Sequence, residues 1–340
     1  MRDLLVAGGG PVGLATALYA VGAGLDVVVR EPREGVIDKA CGEGLMPSAV
    51  AALDRLGVRP DGVPLRGIRY VDGPHAAAAA FRSGPGRGVA RTTLHAALLD
   101  AVHRAGVTVE HRVVDRVLDT GAHVLVDGDP VRYVVAADGL HSPLRRSLGL
   151  DAPARTARRF GLRTHAGVAA WSPFVEVHWS ATGEAYVTPV AEGRVGVAVL
   201  TDRPGRLLDL LPGFPGLWPR LAGATLSRPR GAGPLRQRSR ARVRGRVLLV
   251  GDAAGYVDAL TGEGIGVGLA QARAAVEAVV AGDPARYERD WRRVTRRHDV
   301  LTHGLLAATR HAALRRRLVP AAAALPRVFE SVVNQLAASA

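Results

Sequence analysis

Apolar positions along this chain fall into two textures. The first is a short unbroken apolar run that enters glycine and then small aliphatic residues. Leu4 to Ala7 is such a run and reads as a buried strand; the residues after it, as far as Ala23, suit a closely packed helix, and Asp26 to Arg30 reads as a second strand. The texture returns at Tyr133 to Ala137, which runs into Asp138-Gly139 ahead of a helix starting near Ser142 or Pro143. It returns again at Arg246 to Val250, ahead of Gly251-Asp252 and a long helix opened by the run Thr261 to Gly266. Between these lie a helix from Pro47 or Ser48 through Leu56, a helix from Arg91 with an apolar stripe at Leu94, Leu98, Leu99 and Val102, and strands at Val107–Glu110, Arg112–Thr120 and His123–Val126. The second texture is alternation. Short strands are predicted at Gly67–Asp72 and near Ala76–Arg82, then from Phe160 in four segments as far as Leu200. A Pro/Gly-rich stretch from Arg203 to Gly233 closes that region, and 284–340 reads as helices with arginine clusters.

The first texture carries candidate chemistry. Gly8, Gly10 and Gly13 stand in G-x-G-x-x-G spacing between a strand and a helix, with Glu31 beyond the second strand. Bare backbone lets a pyrophosphate approach the helix N-terminus, and the carboxylate can accept from ribose hydroxyls. On spacing alone the dinucleotide is as well NAD as FAD. Arg91 heads its helix, where the macrodipole disfavours a cation, so it calls for an anionic partner or else is a surface charge. Ser142 suits a helix N-cap. Lys39, Cys41, Gly42, Glu43 and Gly44 share a loop too glycine-rich and polar for a core element, either a plain surface connection or a fold over a cofactor. In the alternating region His165, His178 and Tyr186 are candidates for acid–base work, although His178, beside Glu176 on one strand face, also suits an ordinary buried histidine.

Composition changes this picture little. The net charge is +14 over 340 residues, but Lys39 is the sole lysine and the basicity is arginine, in step with abundant alanine and glycine. Part of the charge therefore reads as compositional, and with no recognisable nucleic-acid module no nucleic-acid partner is expected. The arginine-bearing C-terminal helices read either as a solvated face covering the second, β-rich region or as a basic amphipathic surface touching a membrane or a lipid-carrying partner. Cys41 is alone, so no internal disulfide and no metal site is expected. No apolar run reaches the roughly 18 residues of a spanning helix, and a cytoplasmic protein is expected, as monomer or homodimer.

Three glycine turns in this order resemble the flavoprotein monooxygenases of the p-hydroxybenzoate hydroxylase type and the related geranylgeranyl reductases, over about residues 3 to 280. The resemblance implies an α/β fold: a Rossmann-like FAD-binding domain of glutathione-reductase type (1–65, 88–155 and 240–283), an inserted antiparallel β-sheet substrate domain (66–87 and 156–239), and C-terminal helices (284–340). It implies FAD held by Gly8, Gly10, Pro11, Val12, Gly13 and Glu31 at its ADP end, by the cofactor loop with Lys39, Cys41 and Gly42, by Arg91, by Asp138 and Gly139 with Arg145 behind them, by Gly251 and Asp252 at the ribityl chain, and by Gly262, Gly264, Ile265 and Gly266 beside the isoalloxazine. It implies NAD(P)H as electron donor and molecular oxygen as co-substrate, for hydroxylation of a phenolic or polyketide-like aromatic through a flavin C4a-hydroperoxide. The alternative is a reductase of carbon–carbon double bonds in a prenyl or quinone lipid. The runs Lys39–Leu45 and Asp258–Ile265 look like that reductase branch, whereas its Y-x-W-x-F-P run is reduced here to Pro189, with Tyr186 where the tryptophan would stand. The W-x-W-x-I-P run of flavin halogenases is absent, so halogenation is not expected.

Overall fold

Five segments pair side by side in the computed structural model, which describes residues 1–154, 158–203 and 205–338. They lie in the order Val247–Leu249, Asp129–Ala136, Arg2–Ala7, Val27–Arg30 and Thr108–Glu110, each parallel to the next. Parallel strands covered on both faces need apolar residues at successive positions rather than alternate ones. Leu4 to Ala7 and Val27 to Val29 meet that need and are buried throughout. Helices Pro11–Gly22, Arg91–Arg104 and Gly264–Val280 supply Leu14, Leu94, Leu98 and Leu269 to the same core. The chain leaves Arg2–Ala7 toward Val27–Arg30 on one side, while Asp129–Ala136 lies on the other. The crevice at the carboxyl ends of these strands is where open α/β sheets hold ligands.

A second sheet has seven strands, in the order Arg230–Ala232, Phe160–Ala166, Arg194–Thr201, Gly183–Ala191, Phe174–Ser180, Gly67–Asp72 and His75–Ala80. All neighbours are antiparallel except Phe174–Ser180 with Gly67–Asp72. Period-two alternation gives it two apolar faces. The front face presents Ile68, Val175, Val177, Tyr186, Ala198 and Leu200, and the back face Ala185, Val187, Val195, Val197 and Val199.

The structure corrects the sequence reading at four places. The stretch Arg203 to Gly233, read only as Pro/Gly-rich, seals the back face: its short helix and turns bury Leu207, Leu210, Leu211, Phe214, Leu217 and Leu221 there. The loop after Glu31 does contain a core element, since Gly44–Leu45 pairs with Gly86–Gly88, itself paired with Val63–Leu65, and Leu45 is buried. The strand expected over 112–120 forms only at Val117–Asp119, because the Asp127 carboxylate takes the backbone N–H groups of Asp115 and Arg116. The C-terminal helices do not all cover the second sheet. Tyr287 and Trp291, on helix Arg286–Arg310, join the first core, whereas Leu306 from the same helix, with Val319, Phe329 and Val333, packs against the front face of the second sheet. The predicted domain boundary at residues 155 and 156 lies outside the described residues.

Candidate active site

Three turns, at Gly8, at Asp138-Gly139 and at Gly251-Asp252, converge at the carboxyl edge of the parallel sheet. Gly8 has φ of +110°, and a Cβ on it would lie 2.5 Å from the Ala137 carbonyl oxygen. A Cβ on Gly13 would lie 1.9 Å from the Gly8 carbonyl oxygen, so the helix packs directly on the turn before it. Gly10, by contrast, has nothing within 4 Å of the position a Cβ would take, and the N-terminus of Pro11–Gly22 has no side-chain cap. The backbone there is bare and its N–H groups are open to an anion. Val12 wedges between the first turn and the third, against Gly251 and Gly268.

Glu31 is buried at this edge and accepts from the Gly9 N–H at 2.9 Å and from Arg33 Nε and Nη2 at 2.7 and 2.9 Å. Burial alone would raise its carboxyl, but Arg33 and the backbone N–H groups outweigh burial and hold it below its ordinary value. Arg33 therefore occupies the oxygens that the sequence offered to a ribose. His95, which sequence reasoning missed, lies one turn after Arg91. It accepts the Ile37 N–H on Nδ1 and donates from Nε2 to the Gly9 carbonyl at 2.8 Å. Burial depresses its pKa, so it is a neutral strut behind the glycine turn.

Arg91 Nη1 and Asp138 Oδ1 are buried in the crevice without a hydrogen-bond partner, as is Arg163 Nε under the loop through Lys39. Burial pushes the Arg91 guanidinium down and the Asp138 and Asp252 carboxyls up. Lys39 is also pushed down, by burial and by the nearby charge of Arg33. Groups in such a state are completed by a ligand of matching polarity. Arg145 is different. All five of its N–H groups are taken, by Asp151, the Asp252, Ala253 and Leu140 carbonyls, and Gln237. It ties the second turn to the third and has no donor left for a ligand. Ser142 caps its helix as expected, accepting from the Arg145 N–H at 2.9 Å.

The loop through Lys39 is anchored by Glu43, a residue present in the motif but not singled out from sequence. Its backbone is left-handed, with φ of +61°. Its enclosed carboxylate accepts from the Arg91 N–H at 2.8 Å and from His165 Nε2 at 2.9 and 3.0 Å. Arg163 donates to His165 Nδ1 at 3.3 Å and bonds Asp38, extending the network under the loop. Cys41 accepts from the Glu43 N–H, and burial pushes its thiol up, away from the thiolate.

A continuous cavity of about 1300 Å³ starts at Gly8, Glu31 and Arg33, passes Arg91, Asp138, Asp252 and Gly262, and opens into an apolar chamber. That volume exceeds the roughly 300–1000 Å³ of a single small-molecule site. Val175, Val177 and Leu200 of the front face form one chamber wall, and Leu305, Leu318, Phe329 and Val333 of the C-terminal helices form the other. The candidates Gly8, Gly10, Pro11, Val12, Glu31, Lys39, Cys41, Gly42, Arg91, Asp138, Gly139, Tyr186, Gly251, Asp252, Gly262, Gly264 and Ile265 all line this cavity. Gly13 and Gly266 do not line it but lie buried just behind it. Tyr186 donates to the Leu260 carbonyl at 2.7 Å, tying the front face to the loop that carries Gly262. Beside it the carboxylates of Glu184 and Asp258 share the Arg159 guanidinium. His178 is not in the cavity. Alternation turns it to the back face, where it bonds Glu176 at 3.2 Å beside Gly216, so it is withdrawn as a catalytic candidate.

The profile of the family described as FAD binding domain matches residues 1–197. A menaquinone reductase of Mycolicibacterium smegmatis is 31% identical over 345 residues, covering 87% of this chain and 80% of that protein. The chain belongs to this FAD-binding flavoprotein family. Its relatives in the family include the para-nitrophenol 4-monooxygenase of a Pseudomonas strain, 27% identical over 329 residues, 83% of this chain and 78% of that one. A flavoprotein/dehydrogenase from Cytophaga hutchinsonii has the same fold, with a TM-score of 0.86 at 18% identity, over 99% of this chain and 92% of that one. The flavoenzyme site fits its cofactor on the chain's own features. An uncapped helix N-terminus on bare glycine backbone suits a pyrophosphate, and the partnerless Arg91 Nη1 and Asp138 Oδ1 suit the anionic and hydroxyl groups of FAD.

Proposed function

We propose that this flavoenzyme adds two hydrogens across an isoprenoid double bond of a prenylated lipid such as a menaquinone. The observation that carries the reading is the apolar chamber, continuous with the flavin turns and walled by aliphatic and aromatic side chains from the sheet and the C-terminal helices. A compact phenol would not need its second apolar wall. The extent of the likeness to a menaquinone reductase supports the same reading. In this account 1–65, 88–155 and 240–283 hold the cofactor, 66–87 and 156–239 hold the substrate, and 284–340 closes the chamber.

The residues divide the work as follows. Gly8, Gly10, Pro11, Val12 and Gly13 present the helix N-terminus to the pyrophosphate. Glu31 takes the adenosine ribose by exchanging its bonds to Arg33. Lys39, Cys41 and Gly42 cover the cofactor, held in place by Glu43. Arg91 supplies charge to it, and Asp138, Gly139, Gly251 and Asp252 meet its polar chain. Gly262, Gly264 and Ile265 would give the ring a flat backbone bed, backed by Gly266, with a helix N-terminus that favours negative charge on it. Bound FAD supplies two-electron chemistry, with NAD(P)H as donor and one proton from solvent completing the addition. The chamber walls exclude water and align the chain; Tyr186 fixes the Leu260 loop at the junction.

The test is anaerobic turnover of a menaquinone with NAD(P)H, the product being re-oxidised in air before mass analysis. The account expects a gain of two hydrogens that survives re-oxidation. A gain that disappears means ring reduction and overturns it. No product without oxygen, and one added oxygen atom with it, would favour hydroxylation, the activity carried in the name of the para-nitrophenol 4-monooxygenase relative.

A further inference from the structure

The far end of the cavity is not sealed. Val300, Leu325, Val328 and Val332 all line it, and they are 64%, 57%, 57% and 38% exposed. They form the rim of a mouth rather than scattered surface apolar residues, which would need no explanation. Leu314, 50% exposed, extends the rim: it lies one turn before Leu318 on the helix face that also carries Ala321 and Ala322 into the cavity. Around this apolar rim the charge is predominantly positive. From residue 300 to 338 the sequence carries Arg310, Arg315, Arg316, Arg317 and Arg327 against a single acid, Glu330, which is paired with Arg82. Arg310, Arg316, Arg317 and Arg327 are exposed.

We propose that this rim docks the protein on an anionic lipid bilayer, with the cavity mouth facing the acyl region. An apolar face with cationic flanks settles at the boundary between headgroups and acyl chains, and the arginines add attraction to anionic headgroups. A second copy of this chain is the poorer occupant, since a two-fold contact would bring the same arginines together and the chain carries a net charge of +14. No helix among the described residues is long and apolar enough to cross a membrane. An interfacial contact needs only the rim. A lipid substrate would then pass from bilayer to chamber without crossing water. The docking rests on the rim and its charge, not on the reaction, so it fails or stands separately from the proposed reduction.

The test uses the full-length holoprotein and flotation with phosphatidylcholine vesicles, with and without phosphatidylglycerol. The wild type is expected to float with the anionic vesicles, and less in high salt, where surface charge is screened. The variant Leu325→Gln/Val328→Gln/Val332→Gln is expected to lose about tenfold in partitioning on both vesicle types, as apolar insertion is removed. Arg316→Gln/Arg317→Gln/Arg327→Gln is expected to lose the preference for phosphatidylglycerol alone. Bound-flavin absorbance reports that each variant is folded, and the arginine variant tests the account even if the apolar one misfolds. Wild type that stays with the soluble fraction on both vesicle types overturns the proposal, as does an apolar variant that is folded and floats as well as wild type. A concentration-dependent dimer lost in the apolar variant, with no vesicle binding, assigns the rim to a second copy instead.

Discussion

The two ends of the cavity are built on opposite physical plans. The end at the glycine turns is backbone: glycines whose missing side chains let turns touch, an uncapped helix start, and a few buried charges without a full set of partners. The apolar end is side chain: one face of an antiparallel sheet and the inner faces of three helices, with little polarity beyond Tyr70, Tyr186 and Tyr256. The first plan is intolerant at Gly8 and Gly13, where a single methyl group meets a carbonyl oxygen. The second tolerates exchange of one apolar residue for another of similar volume. A family can therefore keep one cofactor and change its substrate.

The largest expected effect separates two glycines of the same turn. Gly13→Ala places a methyl 1.9 Å from the Gly8 carbonyl, whereas Gly10→Ala meets nothing within 4 Å. Gly13→Ala should lose flavin and destabilise the protein by roughly 3 kcal/mol, within the range for overpacked sites. Gly10→Ala should unfold like wild type without flavin and lose only affinity. Equal unfolding curves for the two variants would break the contrast. Next is Arg91→Leu. Removing a charge-assisted partner should weaken FAD by about 10- to 100-fold, from a loss of roughly 1.5–3 kcal/mol. Yet the flavin-free protein should be no less stable, because the variant removes a buried cation whose Nη1 has no partner. Titration calorimetry and apoprotein melting read the two halves of that prediction.

The smallest effect lies in the antiparallel sheet. Burial, outweighing Arg159, holds the Glu184 carboxyl up at about 7 against an ordinary 4.5. The folded state thus keeps a proton that the unfolded chain has released. The stability this proton contributes is present below about pH 4.5 and is lost as pH rises through about 7. Denaturant midpoints for Glu184→Gln should be flatter than wild type across that window. The difference amounts to a few kcal/mol at most. Parallel curves would mean that Glu184 is ionised in the fold throughout.

The same contrast decides what the sequence made legible. Gly8, Gly13, Asp138, Gly251 and Gly262 could be placed because a glycine or an acid beside a strand end has few uses there. Ser142 was legible for the same reason. Glu43 and His95 stood in view without roles: their partners, His165 and Gly9, are distant in sequence, and each acts on backbone. Glu31 was located, but its neighbour Arg33 was not seen to cover it. The substrate half was legible as strands and not as faces. A one-residue change of register exchanges the faces, and His178 and Tyr186 fall on opposite sides although both come from well-placed strands. The chamber needed the C-terminal helices, whose docking on two cores no periodicity announces.

The central claim is that the chamber holds an isoprenoid chain in line with the flavin turns. Dissociation constants for naphthoquinones carrying zero to several isoprene units, measured on the holoprotein, test it most directly. Affinity should rise by about tenfold per unit, as each buries several carbons at roughly 0.8 kcal/mol per methylene before binding losses, and should level off when the chamber is full. A constant that ignores chain length, with the bare ring bound as tightly as the longest homologue, would contradict the account.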